Sequence, residues 1–253
     1  MFQIAAAIGY AKEYGYQWAA DPSNGHGEPY SCIHKVFPNL PKSAPSGLRF
    51  HEHPNKFCEK HGVHMDLCHF DYHEIPDMGP DVALSGFFQS YKYFENAQEE
   101  VRKVFKLNIN DAYKNHTSIH VRLGDYLQHS GSFPPITSDY LHMALRSIPH
   151  AKECVIFSDD ISRVKDMVVN GFEEYDFEFS EGKDELQDIS LMASCGNHII
   201  ANSTFSWWAA YLGHNPNRIV VSPSAQTWFG PTAGVKQPVI DLIPSNWIQI
   251  HTR

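Results

Sequence analysis

Hydrophobic and polar positions divide the chain into two textures. The first half is irregular. Residues from Phe2 to about Tyr14 (F-Q-I-A-A-A-I-G-Y-A-K-E-Y) predict an amphipathic helix running into Glu13. From about Asp21 to Pro80 the chain is rich in Pro, Gly, His and Asn, with no sustained period. Gly86–Phe94 (G-F-F-Q-S-Y-K-Y-F) then leads into a helical pattern over Glu95–Phe105. The polar stretch Asp111–Thr117 marks a domain boundary, giving units of 1–116 and 117–253.

The second half alternates. Strands are predicted at Ser118–Val121, Cys154–Phe157, Tyr175–Phe179, His198–Ala201 and Arg218–Val221. Between them, helices are predicted at Ser138–Ser147, Ile161–Val169, Asp184–Ser194 and Thr204–Leu212. Such alternation specifies an α/β unit with a parallel sheet covered on both faces. Ligands of such sheets bind beyond the carboxyl ends of the strands.

Three of these strand ends carry polar groups. The first is His120, Arg122, Gly124 and Asp125, the second Ser158, Asp159 and Asp160, the third Asn202, Ser203 and Thr204. In a parallel sheet they share one edge. Asn202-Ser203-Thr204 precedes a helix whose N-terminus favours an anion. The planar fork of Arg122 suits phosphate. Asp159 or Asp160 could accept from ribose hydroxyls or a base amine. A plainer reading stands beside each: Ser203 and Thr204 as helix caps, Asp125 as a turn cap or partner of Arg122, and Phe205–Trp208 as core. No Walker loop is present. The strand ends together therefore specify binding of something phosphorylated.

Composition narrows this further. The 253 residues hold 20 Lys+Arg against 29 Asp+Glu, a formal charge of -9, which excludes non-specific nucleic-acid binding. No apolar run is long enough to span a bilayer, which leaves only a peripheral membrane association open. Five scattered cysteines and no basic-flanked leader indicate a reducing, cytoplasmic setting. The sequons at Asn115 and Asn202 are then accidental. Phe50–Pro76 gathers six histidines with Cys58 and Cys68. Cys58, His61, His64 and Cys68 come near to zinc spacing without matching it. The alternative is a solvated loop.

The residues at the strand ends resemble a known family. His120-Val121-Arg122-Leu123-Gly124-Asp125-Tyr126 is similar to the H-x-R-x-G-D-Y motif of the α-1,2-fucosyltransferases, glycosyltransferase family 11. Gly86–Phe94, Phe157-Ser158-Asp159-Asp160, and the pair Asp184–Ser194 with Asn202–Leu212 resemble further family blocks in the same order. Met1–Ala11 resembles the continuation of the family's opening motif, with the preceding G-G-L-G-N-Q not present before Met1.

The resemblance implies a GT-B-type fold, two Rossmann-like domains facing across a cleft, the first lacking its initial strand and glycine-rich turn. It implies inverting transfer of fucose from GDP-β-L-fucose to the 2-hydroxyl of a terminal β-galactoside, without a metal. Arg122 would hold the diphosphate, with His120 beside the phosphates or the sugar and Gly124 at the turn. Asp159 or Asp160 would address the guanosine, and Asn202, Ser203, Thr204 and Phe205 would close over phosphates and base. Gln89 and Tyr91 would lie on the acceptor side. The catalytic base is expected to be Asp125, with His120 second and the departing diphosphate third. The rival expectations are transfer to another acceptor linkage, a catalytically impaired GDP-sugar-binding protein, and, last, a zinc-binding interaction protein.

Overall fold

A helix built from small residues begins the chain and organises its first unit. The computed structural model describes residues 1–20, 37, 40–41, 64–66, 70–80, 82, 84–180, 184–235 and 238–252. The first unit comprises Met1–Lys106 with Ile240–Leu242. Helix α1 (Phe2–Tyr14) buries Phe2, Ala5, Ala6, Ile8, Gly9, Tyr10 and Ala11. It ends at Gly15, whose φ of 73° is left-handed and whose N–H bonds the carbonyl of Ala11. Gly9 permits its close packing: a Cβ there would lie 1.9 Å from the carbonyl oxygen of Tyr93. Two short strands, β1 (His64–Asp66) and β2 (Leu84–Gly86), pair in parallel, and Gln3 donates to the carbonyl of Leu84 at 2.7 Å.

The segment Tyr91–Ala97 is a 3-10 helix whose N-cap, Ser90, accepts from the Lys92 N–H. It runs into α2 (Gln98–Val104). The predicted Glu95–Phe105 helix is thus split between two helix types, with non-helical backbone at Phe94. Asp241 belongs to this unit because it accepts from Lys92 Nζ at 2.5 Å and from the Tyr72 N–H at 2.8 Å.

The second unit comprises Leu107–Val239 with Ile243–Arg253. Its first residues, including the polar stretch the sequence marks as a boundary, attach here. The Asn110 N–H donates to Ser194 Oγ at 2.9 Å, and the Gly196 N–H to the carbonyl of His116 at 2.8 Å. Six strands follow: β3 (Thr117–Val121), β4 (Glu153–Ser158), β5 (Asp176–Phe179), β6 (Asn197–Ile199), β7 (Val220–Pro223) and β8 (Ile248–Ile250). They are all parallel, in the order β5-β4-β3-β6-β7-β8. Helices α3 (Gly124–Gln128), α4 (Ser138–Arg146), α5 (Ile161–Val168), α6 (Glu185–Ser194) and α7 (Thr204–Leu212) lie between the strands.

The chain enters at β3, works outward to β5, and returns to place β6 against the other side of β3. That is the doubly wound Rossmann order, with its reversal between β3 and β6. The α/β expectation holds in this unit. All five residues of β3 are buried, as a central strand requires. The core joins Ile119, Val121 and Ile156 to Tyr140, Leu141 and Leu145 of α4 and Val164 of α5. No helix among the described residues is long and apolar enough to cross a membrane.

One core histidine couples this sheet to pH. His198 on β6 is buried, and its Nδ1 lies 2.8 Å from Ser118 Oγ on β3. Burial, and secondarily the charge of Arg218, lower its pKa to about 3. The folded value lies below the unfolded one, about 6.5. The resulting stability is therefore present above pH 6.5 and is lost as pH falls towards 3. We expect His198 to remove about 1.4 kcal/mol of unfolding free energy per pH unit over that interval. Urea denaturation from pH 7 to pH 5 checks this: His198→Asn should flatten the dependence by one proton, and an unchanged slope would show that His198 does not supply it.

Candidate functional site

The turn after β3 is built around one arginine. Arg122 follows the last strand residue, and its guanidinium contacts two carboxylates. Nε and NH2 donate to Asp125 Oδ1 at 3.1 and 2.8 Å. NH1 lies 3.2 Å from Asp159 Oδ2. The Tyr126 ring lies beneath it, with Cζ 5.7 Å from the ring centroid, within cation–π range.

Asp159 does more than pair with Arg122. Its Oδ1 accepts from the Leu123 N–H at 2.9 Å. The carboxylate also packs against Gly124, where a Cβ would lie 2.3 Å from Oδ2. The ends of β3 and β4 are thus joined through one side chain, and the glycine of the motif is needed for its approach. Parallel pairing puts this within reach, since Val121 is in register with Ser158.

His120 is buried beside this turn. Burial lowers its pKa to about 4, against a raising effect from Asp159, with Arg122 lowering it further. It is neutral at pH 7. Its Nδ1 has no hydrogen-bond partner among the described residues. The ring of Phe205 lies across it, centroids 5.8 Å apart. Phe205 is on the first turn of α7, so this contact spans the sheet's switch point.

Several polar groups that the sequence offers to a ligand are used to hold the fold. Asp160 caps α5 by accepting from the Arg163 N–H at 3.1 Å, and it pairs with Arg163 Nε at 3.0 Å. Ser203 caps α7, accepting from the Phe205 N–H at 3.4 Å. Asn202 Nδ2 donates to the carbonyls of Pro134 and Trp228 at 3.1 and 2.9 Å, while its Oδ1 is buried without a partner among the described residues. Thr204 is exposed. The plain capping reading therefore holds for Ser203, and Asp160 is a cap that the sequence reading did not single out. Arg122, Asp125, Asp159, Gly124 and His120 are brought together, with Phe205 against the histidine.

Tyr126 is the residue the sequence reading overlooks. Its hydroxyl donates to the Asn202 carbonyl at 3.0 Å, tying the β3 turn to the end of β6. Its ring stacks on Phe133 at 5.1 Å. Beyond Phe133, the Ser132 hydroxyl meets that of Thr232 at 2.8 Å, and the Gly230 N–H bonds the Ser132 carbonyl. The closing Tyr of H-x-R-x-G-D-Y is the signal that could have found it.

In the first unit, Gln89 and Tyr91 are half-buried on either side of the cap Ser90. Phe88 before them has a φ of 47° and is fully buried, edge-on to Tyr93 at 5.2 Å. Of the zinc set, Cys58, His61 and Cys68 lie outside the described residues, as does the side chain of His64. Among the described residues no cluster of three metal-ligating side chains occurs.

Gly124→Ala places a methyl against Asp159 Oδ2, so the carboxylate must leave the Leu123 N–H or the turn must shift. We expect a loss of about 1–3 kcal/mol of stability, measured by urea denaturation. A neutral result would mean that the Asp159 clamp yields without cost.

The chain is similar to several known proteins. The O-antigen biosynthesis glycosyltransferase WbnK of Escherichia coli is 33% identical over 167 residues, 58% of this chain and 55% of that protein. The alpha-1,2-colitosyltransferase of Escherichia coli is 32% identical over 191 residues, 69% of this chain and 64% of that protein. The human galactoside alpha-(1,2)-fucosyltransferase 1 is 26% identical over 168 residues, 56% of this chain and 45% of that protein. The alignments thus span between about half and two thirds of these relatives' lengths. The profile of the family matches residues 53–229, from the histidine-rich stretch through the Arg122 turn to α7 and beyond, and the chain belongs to glycosyl transferase family 11.

Proposed function

We propose that the chain transfers L-fucose from GDP-β-L-fucose to the 2-hydroxyl of a terminal β-galactoside, with inversion. The observation that carries this reading is Arg122, fixed by Asp159 at the carboxyl end of β3 beside the β3/β6 reversal. That is where a doubly wound sheet binds a nucleotide. Two of the similar proteins are named for α-1,2 transfer.

In the proposed reaction the acceptor 2-hydroxyl oxygen attacks the anomeric carbon. Its proton passes to Asp125. The bond from the anomeric carbon to the diphosphate breaks, and its electron pair leaves with GDP. Negative charge grows on the departing phosphates, so a guanidinium there stabilises the transition state more than the ground state. The N-terminus of α7 would add its positive end. His120, neutral and buried, suits a hydrogen bond to the nucleotide better than proton removal in open solvent. Gln89 and Tyr91 would act on the acceptor side. The chemistry so described calls for no metal. A second reading, colitosyl transfer, is favoured by the similarity to the alpha-1,2-colitosyltransferase, which covers 69% of this chain.

Mixing the chain with GDP-fucose and lactose in EDTA should release GDP only when lactose is present. Release without lactose would indicate hydrolysis, and none at all would favour another donor or a binding protein. Arg122→Ala should weaken GDP binding by about 2–4 kcal/mol in calorimetry. An unchanged affinity would remove Arg122 from the diphosphate.

A further inference from the structure

We propose that Asp125 is an exchangeable occupant of Arg122: the donor's diphosphate takes its place on the guanidinium, and the displaced carboxylate becomes the proton acceptor. The inference rests on the donor reading above and adds an order of events to it.

One guanidinium lies between two carboxylates, so Arg122, Asp125 and Asp159 together carry a formal charge of -1. A diphosphate approaching that cluster meets net negative charge. Binding is favoured if one carboxylate withdraws, and the two are not equivalent. The Asp159 side chain is 25% exposed. It is held by the Leu123 N–H and by its packing on Gly124. Withdrawing it would undo the β3 turn itself.

The Asp125 side chain is 59% exposed and meets a guanidinium that is 37% exposed, three residues away along the chain. Exposed pairs of this kind contribute no more than about fivefold to an equilibrium. A bidentate arginine–phosphate pair is stronger. The edge in question is also a shared one. Asp125 Oδ1 takes both Nε and NH2, and Nε has a single hydrogen to give. A phosphate that grips this edge must therefore evict Asp125.

Arg122 does not lose its position in the exchange. Asp159 still holds NH1, and the Tyr126 ring still underlies the guanidinium. Tyr126 is itself anchored to the Asn202 carbonyl. Asp125, in the first turn of α3, is left at the same strand end with its carboxylate free. It can then take the acceptor hydroxyl proton as the oxygen bonds the anomeric carbon and the old glycosyl–phosphate bond leaves with GDP. Until the donor is bound, the base is engaged with Arg122. Donor binding thus precedes productive acceptor binding.

The test is a structure of the wild-type chain with GDP, together with calorimetry on Asp125→Asn. We expect the GDP complex to show Asp125 beyond salt-bridge distance from Arg122, with the Asp159 contacts to Arg122 and Leu123 retained. Asp125→Asn should bind GDP about two- to fivefold more tightly, because a competitor is removed. It should transfer fucose to lactose at least about a hundredfold more slowly, because a base is removed. Asp125→Glu should recover part of the transfer. An Arg122–Asp125 bond intact in the GDP complex, or Asp125→Asn binding GDP no more tightly than wild type, would overturn the exchange and leave the donor reading standing. A wild-type chain that does not bind GDP would overturn the donor reading and the exchange with it.

Discussion

The contact on which the candidate site depends is the Asp159 carboxylate against the end of β3. One oxygen takes the Leu123 N–H and the other faces Arg122. Neither is an interaction along the sheet ladder. They couple two neighbouring strands at the point where their hydrogen bonding stops, where each turn would otherwise be free to diverge. Leaving a half-buried carboxylate unpaired costs more than the pair contributes in an exposed setting. The turn therefore keeps the conformation that satisfies it. Gly124 follows as a consequence, since a side chain there would hold the carboxylate off.

Much of the second unit could be read from the sequence. Four of its six strands run four to six residues between turn signals, and its longer helices have apolar stripes with acidic or hydroxyl caps. Both patterns come from burial on a two-faced sheet, which few other arrangements satisfy. What escaped detection was short or locally ambiguous. β8 has three residues, one of them Gln249, and packs at the sheet edge. Helix α3 begins with Gly124-Asp125, residues that signal a turn, and its five residues are held by tertiary contacts rather than by propensity.

That polar residues gather at the strand ends was legible in the sequence, but what each of them contacts was not. Strand ends collect polar residues for two reasons, to bind ligands and to cap the next helix, and a sequence shows both alike. Asp159 and Asp160 are adjacent, yet one clamps the β3 turn and the other caps α5. Asn202 lies in a motif that suggests a ligand contact, and its amide nitrogen fastens two loops. Tyr126 carries no role in the sequence reading because its partner, the Asn202 carbonyl, is seventy-six residues away. Distances of that kind enter only with the fold. In the first unit the aperiodic stretch before Pro80 offered no pattern to read, and the short parallel pair β1–β2 arises from contacts distant in sequence.

The turn Ile240–Leu242 has a topological consequence. Through Asp241 it belongs with the first unit, while the residues before and after it belong with the second. The backbone therefore passes between the units three times, and the last pass returns to supply an edge strand. No single cut therefore separates all the residues of one unit from those of the other. A fragment ending at Lys106 loses the carboxylate that Lys92 engages. A fragment starting at Leu107 carries a turn whose anchor is elsewhere. A cut after residue 106 leaves the Ile240–Leu242 turn of the first unit on the second fragment.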